Sequence, residues 1–331
     1  MVVLNSHSRV GAVAIGRNEG ERLKRCLQSL ISAVNTIVYV DSGSTDDSIN
    51  IALALGVQVI QLDMNIPFTA ARARNEGFQH LIKVAPDIDF VQFVDGDCEV
   101  VSTWITTAVN FLDANNQLAV VCGRRRERYP EKSVFNYMCD SEWNTPIGKA
   151  KACGGDALMR VKAFLQVGGY RIELIAGEEP ELCLRIRANG WTVWRLDQEM
   201  TLHDAAMTKV SQWWKRTTRA GYAFAEGAYL HGAFPERHWV KESRRALIWG
   251  LVIPATILMV SFFYWPLSLI MAMIYPLQII RLALRNKKEL RQHSWMIATY
   301  SVIGKFAEMH GQLRYYYQRL LNKPSTLIEY K

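Results

Sequence analysis

Residues 246–280, ALIWGLVIPATILMVSFFYWPLSLIMAMIYPLQII, contain no charged side chain. At 35 residues the run far exceeds the roughly 18 that suffice to read as a membrane-spanning segment, and it is too long for one core helix. Pro266 lies near its middle, so the pattern predicts two short helices meeting at a tight turn. Arg244 and Arg245 precede the run, and Arg281, Arg285, Lys287 and Lys288 follow it. Cations at both ends favour a hairpin with both feet in the cytoplasm. A re-entrant pair and a single tilted span are the alternatives, and a buried helical pair in a soluble domain is the reading that opposes all three. Beyond the run, HSWMIATYSVIGKFAEMHGQLRYYYQRLL is amphipathic and rich in Tyr, which suits the lipid headgroup layer or the side of a globular domain.

The first hundred residues have a different grammar. Short β-rich runs alternate with helical patterns, the sign of a parallel α/β sheet. VGAVAIGRNEG (10–20) reads as a strand running into a polar loop, and Leu23, Cys26, Leu27 and Leu30 then share one helical face. TIVYVDSGSTDDS (36–48) and VQVIQLD (57–63) read as further strands, each followed by a helix, and DFVQFVDGD as a fourth. Polar residues gather where strands one, two and four end: Asn18-Glu19, Asp41 and Asp95/Asp97. Ligands of open parallel sheets bind at the carboxyl ends of the strands, so these clusters are expected to converge on one crevice.

The fourth strand raises a question of charge. FVQFVDGDCEV (90–100) is apolar until it ends on Asp95-Gly96-Asp97. Buried charge is costly unless a partner compensates it. Two carboxylates separated by glycine suit a hard divalent cation, Mn²⁺ or Mg²⁺, which takes oxygen ligands and bridges to a diphosphate. A solvated turn is the bland reading of the same three residues.

The segments AIGRNEGERLKRCLQSL, VYVDSGSTDDS, FTAARARNEGF and FVQFVDGDCEV together resemble the nucleotide-sugar-binding half of glycosyltransferase family 2, and residues 154–191 resemble that family's acceptor half. The resemblance covers roughly residues 9–230. It implies a GT-A-like fold, a mixed and mostly parallel sheet flanked by helices, here with a C-terminal helical membrane hairpin. It also implies a nucleoside diphosphate-sugar donor, with a UDP-sugar favoured, a divalent metal, and inversion at the anomeric carbon. On the same basis Asp41 would contact the nucleotide base, with Arg17, Asn18 and Glu19 lining that pocket. Arg72 would approach the base or phosphates, Asp95 the ribose and base, and Asp97 the metal. Helical spacing turns only one of Arg72 and Arg74 fully inward, and Arg72 is the one expected there, with Arg74 on the helix surface or in a salt bridge.

An inverting transfer needs a carboxylate behind the acceptor hydroxyl. GEEPELCLRIRANGW (177–191) offers Glu178, Glu179 and Glu181. Where family members usually carry Glu-Asp this chain has Glu178-Glu179, so Glu179 aligns with the catalytic base and Glu178 stands beside it toward the substrate. Pro180 suits a first helical turn, and Glu181 reads as an acid complementing the helix dipole. Asp156, after Gly154-Gly155, is a candidate for holding sugar hydroxyls. His203, in the loop expected after the strand WTVWRLD, is a candidate metal ligand, since a neutral imidazole can complete a coordination sphere. Trp213 or Trp214 in QWWKRTTRAGYAF is a candidate for stacking on an acceptor sugar, with core packing the ordinary role of a Trp. Gln212 is not followed by the Arg-Trp of processive synthases, which speaks against a polymerising enzyme.

The expected organisation is a catalytic domain at 1–235 (nucleotide-binding half 9–100, acceptor half 101–235), a membrane-associated hairpin at 236–290, and an amphipathic helix and tail at 291–331. The implied activity is transfer of one sugar to a lipid-linked or glycan acceptor at the cytoplasmic membrane face, in polysaccharide biosynthesis. Scattered cysteines without a Cys-x-x-Cys pair, and an N-terminus without an apolar leader, point to a reducing compartment. The net charge of +8 clusters around the apolar run, so no nucleic-acid partner is expected. The competing readings are a nucleotidyltransferase, for which GRNEGER is a poor phosphate loop, and a catalytically silent subunit of a membrane assembly complex.

Overall fold

The computed structural model describes residues 9–285, 293–323 and 328; Lys287 and Lys288, expected at the foot of the hairpin, lie outside the described residues. The chain divides into two compact units, one made of Met1–Pro130, Cys139–Leu174 and Glu178–Ala206, the other of Glu131–Met138, Ile175–Gly177 and Met207–Lys331. The helix at Val210–His231, which the sequence reading placed in the catalytic domain, belongs to the second unit.

In the first unit the four expected strands form β1 (Val10–Gly16), β2 (Thr36–Asp41), β3 (Gln58–Gln61) and β4 (Phe90–Asp95). Three helices connect them: α1 (Glu21–Ile31), α2 (Ser48–Ala54) and α3 (Ala70–Val84). All four strands are parallel, with β1 between β2 and β4. The chain continues through β5 (Cys98–Val100), α4 (Trp104–Ala114), β6 (Leu118–Glu127), α5 (Val134–Trp143, of which residues up to Met138 belong to the second unit), β7 (Gly148–Ala150), β8 (Ala157–Arg160), α6 (Val161–Gln166), α7 (Glu178–Ala188) and β9 (Thr192–His203). The strand order is β3-β2-β1-β4-β8-β6-β9-β5, with β7 paired to β9. β8 runs antiparallel to both β4 and β6, which makes the sheet mixed.

β1, β2 and β4 are buried on both faces, as their continuous apolar runs require, whereas β3 at the edge of the sheet is half-buried to exposed. Val13, Val38, Val94 and Phe93 have no exposed surface. α3 lies close on this sheet because it carries Gly77, where a Cβ would sit 2.5 Å from Val13 Cγ1 and 2.7 Å from Val40 Cγ2. The expected loop before His203 is instead the second half of β9. Its register shifts against β6 between Cys122 and Arg124 and again between Arg124 and Arg125, and β5 pairs with its far end. These irregularities bend a strand that the sequence pattern ends at Asp197.

The second unit is helical: α8 (Val210–His231), α9 (Val240–Leu247), a π-helical turn (Ile248–Val252), α10 (Ile253–Phe263), α11 (Trp265–Ala272), α12 (Ile274–Arg285) and α13 (Ser294–Leu320). α8 and α13 touch backbone to backbone at glycines. A Cβ at Gly221 would lie 2.0 Å from the Glu308 carbonyl oxygen, and one at Gly311 2.0 Å from that of Thr218. Val240–Phe263 and Trp265–Arg285 are long and apolar enough to cross a membrane, and very little of either is buried within the protein. They break at Tyr264 (φ −154°, ψ 87°), next to Pro266, and the Tyr275 hydroxyl donates to the Trp249 carbonyl at 2.8 Å across the turn.

Replacing Gly77 with Ala forces a methyl group into Val13 and Val40, neither of which has room to retreat. The variant is expected to lose about 1–3 kcal/mol of stability, read as a lowered urea midpoint; an unchanged midpoint would show that α3 does not seat as described.

Candidate active site

β4 delivers its acids to the carboxyl edge of the sheet, where the Gly96 amide donates to the Ile15 carbonyl at 2.8 Å and extends the β1–β4 ladder by one bond. Asp95 meets two guanidinium groups there, Arg74 Nη2 at 2.8 Å and Arg125 Nη2 at 3.0 Å. Burial alone would raise the Asp95 pKa, but Arg74 and Arg125 outweigh it and hold this carboxyl well below the usual range. Arg74 also reaches Glu178 Oε1 at 2.8 Å and Glu179 Oε1 at 3.1 Å through Nη1. One buried cation therefore ties the end of β4 to the start of α7.

This corrects the expected roles of the two α3 arginines. Arg74 reaches the acids, whereas Arg72 donates to Glu76 at 2.7 Å and to the carbonyls of Asp63 and Ile66, each at 3.0 Å. Residues two apart on a helix point roughly 200° from each other. Which one faces the strand ends depends on the helix phase, set here by the Thr69 hydroxyl accepting from the Arg72 amide at 3.1 Å.

Asp156 is also reassigned. It has no exposed surface; Oδ1 accepts the Asp95 amide at 3.1 Å, and Oδ2 accepts the Thr201 hydroxyl at 2.7 Å with Arg125 Nε at 3.3 Å. It braces the backbone of Asp95 and is not presented to a sugar hydroxyl. Gly155 beside it leaves room for an ion pair, since a Cβ there would lie 2.7 Å from Arg74 Nη2 and 2.8 Å from Asp95 Oδ2.

Asp97 and His203, 106 positions apart, are brought together by the β5–β9 ladder. Cys98 pairs with His203, and His203 Nε2 lies 3.2 Å from Asp97 Oδ2. Its Nδ1 is 3.5 Å from Glu127 Oε2. Glu127 is held in turn by the amides of Tyr129 (3.2 Å) and Ala205 (3.0 Å). Burial, then the nearby Arg125, lowers the His203 pKa and favours neutral imidazole. Asp97, Cys98 and His203 could together hold a metal ion. Burial pushes the Cys98 thiol pKa well up, so it stays protonated and is a poor ligand for a hard cation. A carboxylate and a neutral imidazole, with Glu127 3.5 Å behind the ring, suit a divalent cation.

Glu178 and Glu179 open α7. Glu179 is pushed up to about 7, first by burial and second by the neighbouring Glu178, against the pull of Arg74. Glu181 is occupied by Arg185 at 2.7 Å and Arg171 at 3.1 Å and takes no part in the cluster.

At the ends of β1 and β2 the loops knit together. Asp41 accepts the Tyr39 hydroxyl at 2.9 Å and the amides of Gly43 (3.0 Å) and Ser44 (2.8 Å). Asn18, at a left-handed φ of 56°, accepts the Thr45 amide at 2.7 Å. Glu19 pairs with Arg22 at 2.8 Å, and Arg17 is exposed beside it. Trp213 lies in the second unit, buried against Phe135 and Tyr300 with centroids 5.9 and 4.9 Å away. Its ring packs in a core and is not free to stack on a sugar. Arg125 and Glu127 escaped the sequence reading. Only the strand alternation of RRRE (124–127), which puts these two on one face, hinted at them.

A mixed sheet with paired acids at its carboxyl edge, met by a histidine from the last strand, defines a GT-A-like fold. Residues 13–164 match the family described as Glycosyl transferase family 2. A mannosyltransferase, PcManGT from Pyrobaculum calidifontis, solved in complex with GDP-Man and Mn²⁺, superposes with a TM-score of 0.64 at 16% identity. The match covers 92% of this chain and 87% of that one. An uncharacterized glycosyltransferase of Rickettsia felis (strain ATCC VR-1525 / URRWXCal2) is 40% identical over 52 residues, 16% of this chain and 18% of that protein's length.

Glu179 should weaken the fold at high pH. Its folded pKa of about 7 lies above the ordinary 4.5, so the cost is absent below pH 4.5, grows as pH rises to 7, and is constant beyond. Glu179→Gln is expected to match the wild type near pH 4.5 and to exceed it at pH 8 by on the order of 3 kcal/mol. Equal unfolding midpoints at pH 8 would contradict the raised value.

Proposed function

We propose that the chain is an inverting glycosyltransferase that moves one sugar from a nucleoside diphosphate-sugar to a lipid-linked or glycan acceptor at the cytoplasmic face of the cell membrane. The observation that carries this reading is the convergence at one sheet edge of Asp97 with His203 at 3.2 Å, and of Asp95 with Glu179 through Arg74. Such a set can hold a metal-diphosphate and place a base beside it.

In this reading the turn at Asp41 and the loop of Arg17, Asn18 and Glu19 line the base pocket. Asp95 faces the ribose. Asp97 and His203 would hold Mn²⁺ or Mg²⁺, which supplies positive charge to the leaving diphosphate. Glu179 removes the acceptor proton. A carboxylate titrating at about 7 is well matched to that task, because it is substantially ionised at neutral pH yet basic enough to take the proton. Glu178 shares Arg74 with it and keeps that guanidinium from neutralising Glu179 alone. The longer side chain of Glu at 179, where the family usually has Asp, is accommodated by this contact. The neighbour's bound GDP-Man and Mn²⁺ support a nucleotide-sugar and metal here; the resemblance favours UDP.

The two apolar spans support membrane attachment. Phe262 and Phe263 at the turn are 80% and 85% exposed, far more apolar surface than water tolerates in one place. A donor from the cytosol and a lipid-borne acceptor meet at the membrane face, and Arg244, Arg245, Arg281 and Arg285 at the feet favour that orientation.

Thermal denaturation with a panel of nucleoside diphosphates should show one base raising the melting point, only with Mn²⁺ present, and Asp97→Ala should abolish the rise. Metal-dependent stabilisation that survives in this variant would remove Asp97 from the metal site. Turnover should rise with pH through about 7 and be lost in Glu179→Gln; a flat profile would assign the base elsewhere. The chain is expected to stay in the membrane pellet after alkaline carbonate, and its recovery in the supernatant would overturn the attachment.

A further inference from the structure

Strand β6 presents two faces. Arg125 and Glu127 turn toward the candidate active site, while Arg124 and Arg126, one residue out of phase, line a separate open cavity of about 730 Å³. Arg195 of β9 lines the same cavity, with Asn144 and Thr145 from the loop before β7. Neither the resemblance nor the proposed transfer gives this cavity a task.

Its charges are unevenly matched. Arg126 is bound to Glu199 through Nε at 3.1 Å and through Nη2. Arg124 pairs with Asp140 Oδ2 at 2.8 Å, while Asp140 Oδ1 is occupied by the Glu127 amide at 2.9 Å. Arg195 is 3% exposed and makes no ion pair among the described residues. Its Nη1 donates to the Leu196 carbonyl, and its Nε meets no acceptor. Asp197, also on the lining, is exposed at the rim. Glu199 acts on Arg195 through space but not at ion-pair distance; a buried guanidinium without a directly paired carboxylate is costly, and the cost is recovered when an oxyanion arrives. Arg124 bears part of the same burden: burial lowers its pKa despite Asp140, and the like charge of Arg126 adds to this.

We infer that this cavity is an oxyanion seat, in which Arg195 and Arg124 bind a phosphate group on the face of β6 opposite the candidate active site. Phosphate fits because a guanidinium presents parallel N–H donors to two of its oxygens, and because its two negative charges can engage Arg195 and Arg124 together. A soluble phosphate compound and an anionic lipid headgroup carry the same group. Glu199 competes with the ligand for Arg126, so the seat is expected to bind more tightly when that carboxylate is neutralised.

The test is calorimetric titration of inorganic phosphate into the full chain in detergent, free of metal and nucleotide and at constant ionic strength. Saturable binding is expected, weakened about tenfold or more in Arg195→Gln and tightened in Glu199→Gln. The second variant changes a half-exposed rim residue, so the prediction stands even if the first fails to fold. No saturable heat in the wild type, or both variants titrating like it, would overturn the seat; the latter result would put phosphate elsewhere, including the donor site. Competition of the phosphate signal by phosphatidic acid in mixed micelles would support a headgroup occupant, and its absence with phosphate still bound a soluble one. Because neither donor nor metal is present, failure here leaves the proposed transfer intact, and loss of metal-dependent nucleotide binding leaves the seat intact.

Discussion

Arg74 is the cation on which the arrangement of the acids depends. Buried to 3% of its side chain, it bridges Asp95 at the end of β4 to Glu178 and Glu179 at the start of α7. Three carboxylates so close together repel one another, and burial penalises each of them. The guanidinium makes the cluster possible, and its fork geometry lets it hold two partners on one side and one on the other. Gly155 leaves the space, and Asp156 fixes the Asp95 backbone from beneath. Removing the cation would leave charges that the protein interior cannot accommodate.

The cluster does not treat its members alike. Asp95, between two arginines, stays ionised, whereas Glu179, shielded from water and beside Glu178, is lifted to about 7. Opposite shifts within one small region give the acids different roles: one permanently charged, the other exchanging a proton near neutrality. The raised value is also a cost to folding, which a protein retains when the group has a task that needs it. His203 follows similar logic, since burial and Arg125 disfavour its cationic form, and it lies between Asp97 on one ring nitrogen and Glu127 on the other.

Much of the first unit was legible along the chain. Buried parallel strands read as apolar runs, their helices as periodic faces, and the strand ends as polar clusters, because each of these is a local consequence of geometry. Asp95, Asp97, His203 and Glu179 stand out as candidates in this way or through resemblance. Arg72 was preferred to Arg74 because spacing shows only that the two diverge, and the phase of α3 follows from Thr69 and the sheet beneath it. Asp156 and Trp213 read as ligand contacts in the sequence because a polar or aromatic residue near a motif looks the same whether it faces a substrate or a core. The second half of β9 was missed because its strand character comes from pairing with β5 and β6 across register shifts.

By itself, then, the order of residues determined a mixed, mostly parallel sheet with acids at its carboxyl edge and a long uncharged hairpin after it, since backbone geometry and hydrophobic burial act over a few residues at a time. Only the folded chain decided which arginine meets those acids, that Glu127 stands behind His203, and that Arg195 lies buried with no carboxylate at ion-pair distance among the described residues. Those outcomes depend on which distant segments share a few ångströms of space, and charge at that range is governed by the partner and the burial, neither of which a linear pattern contains.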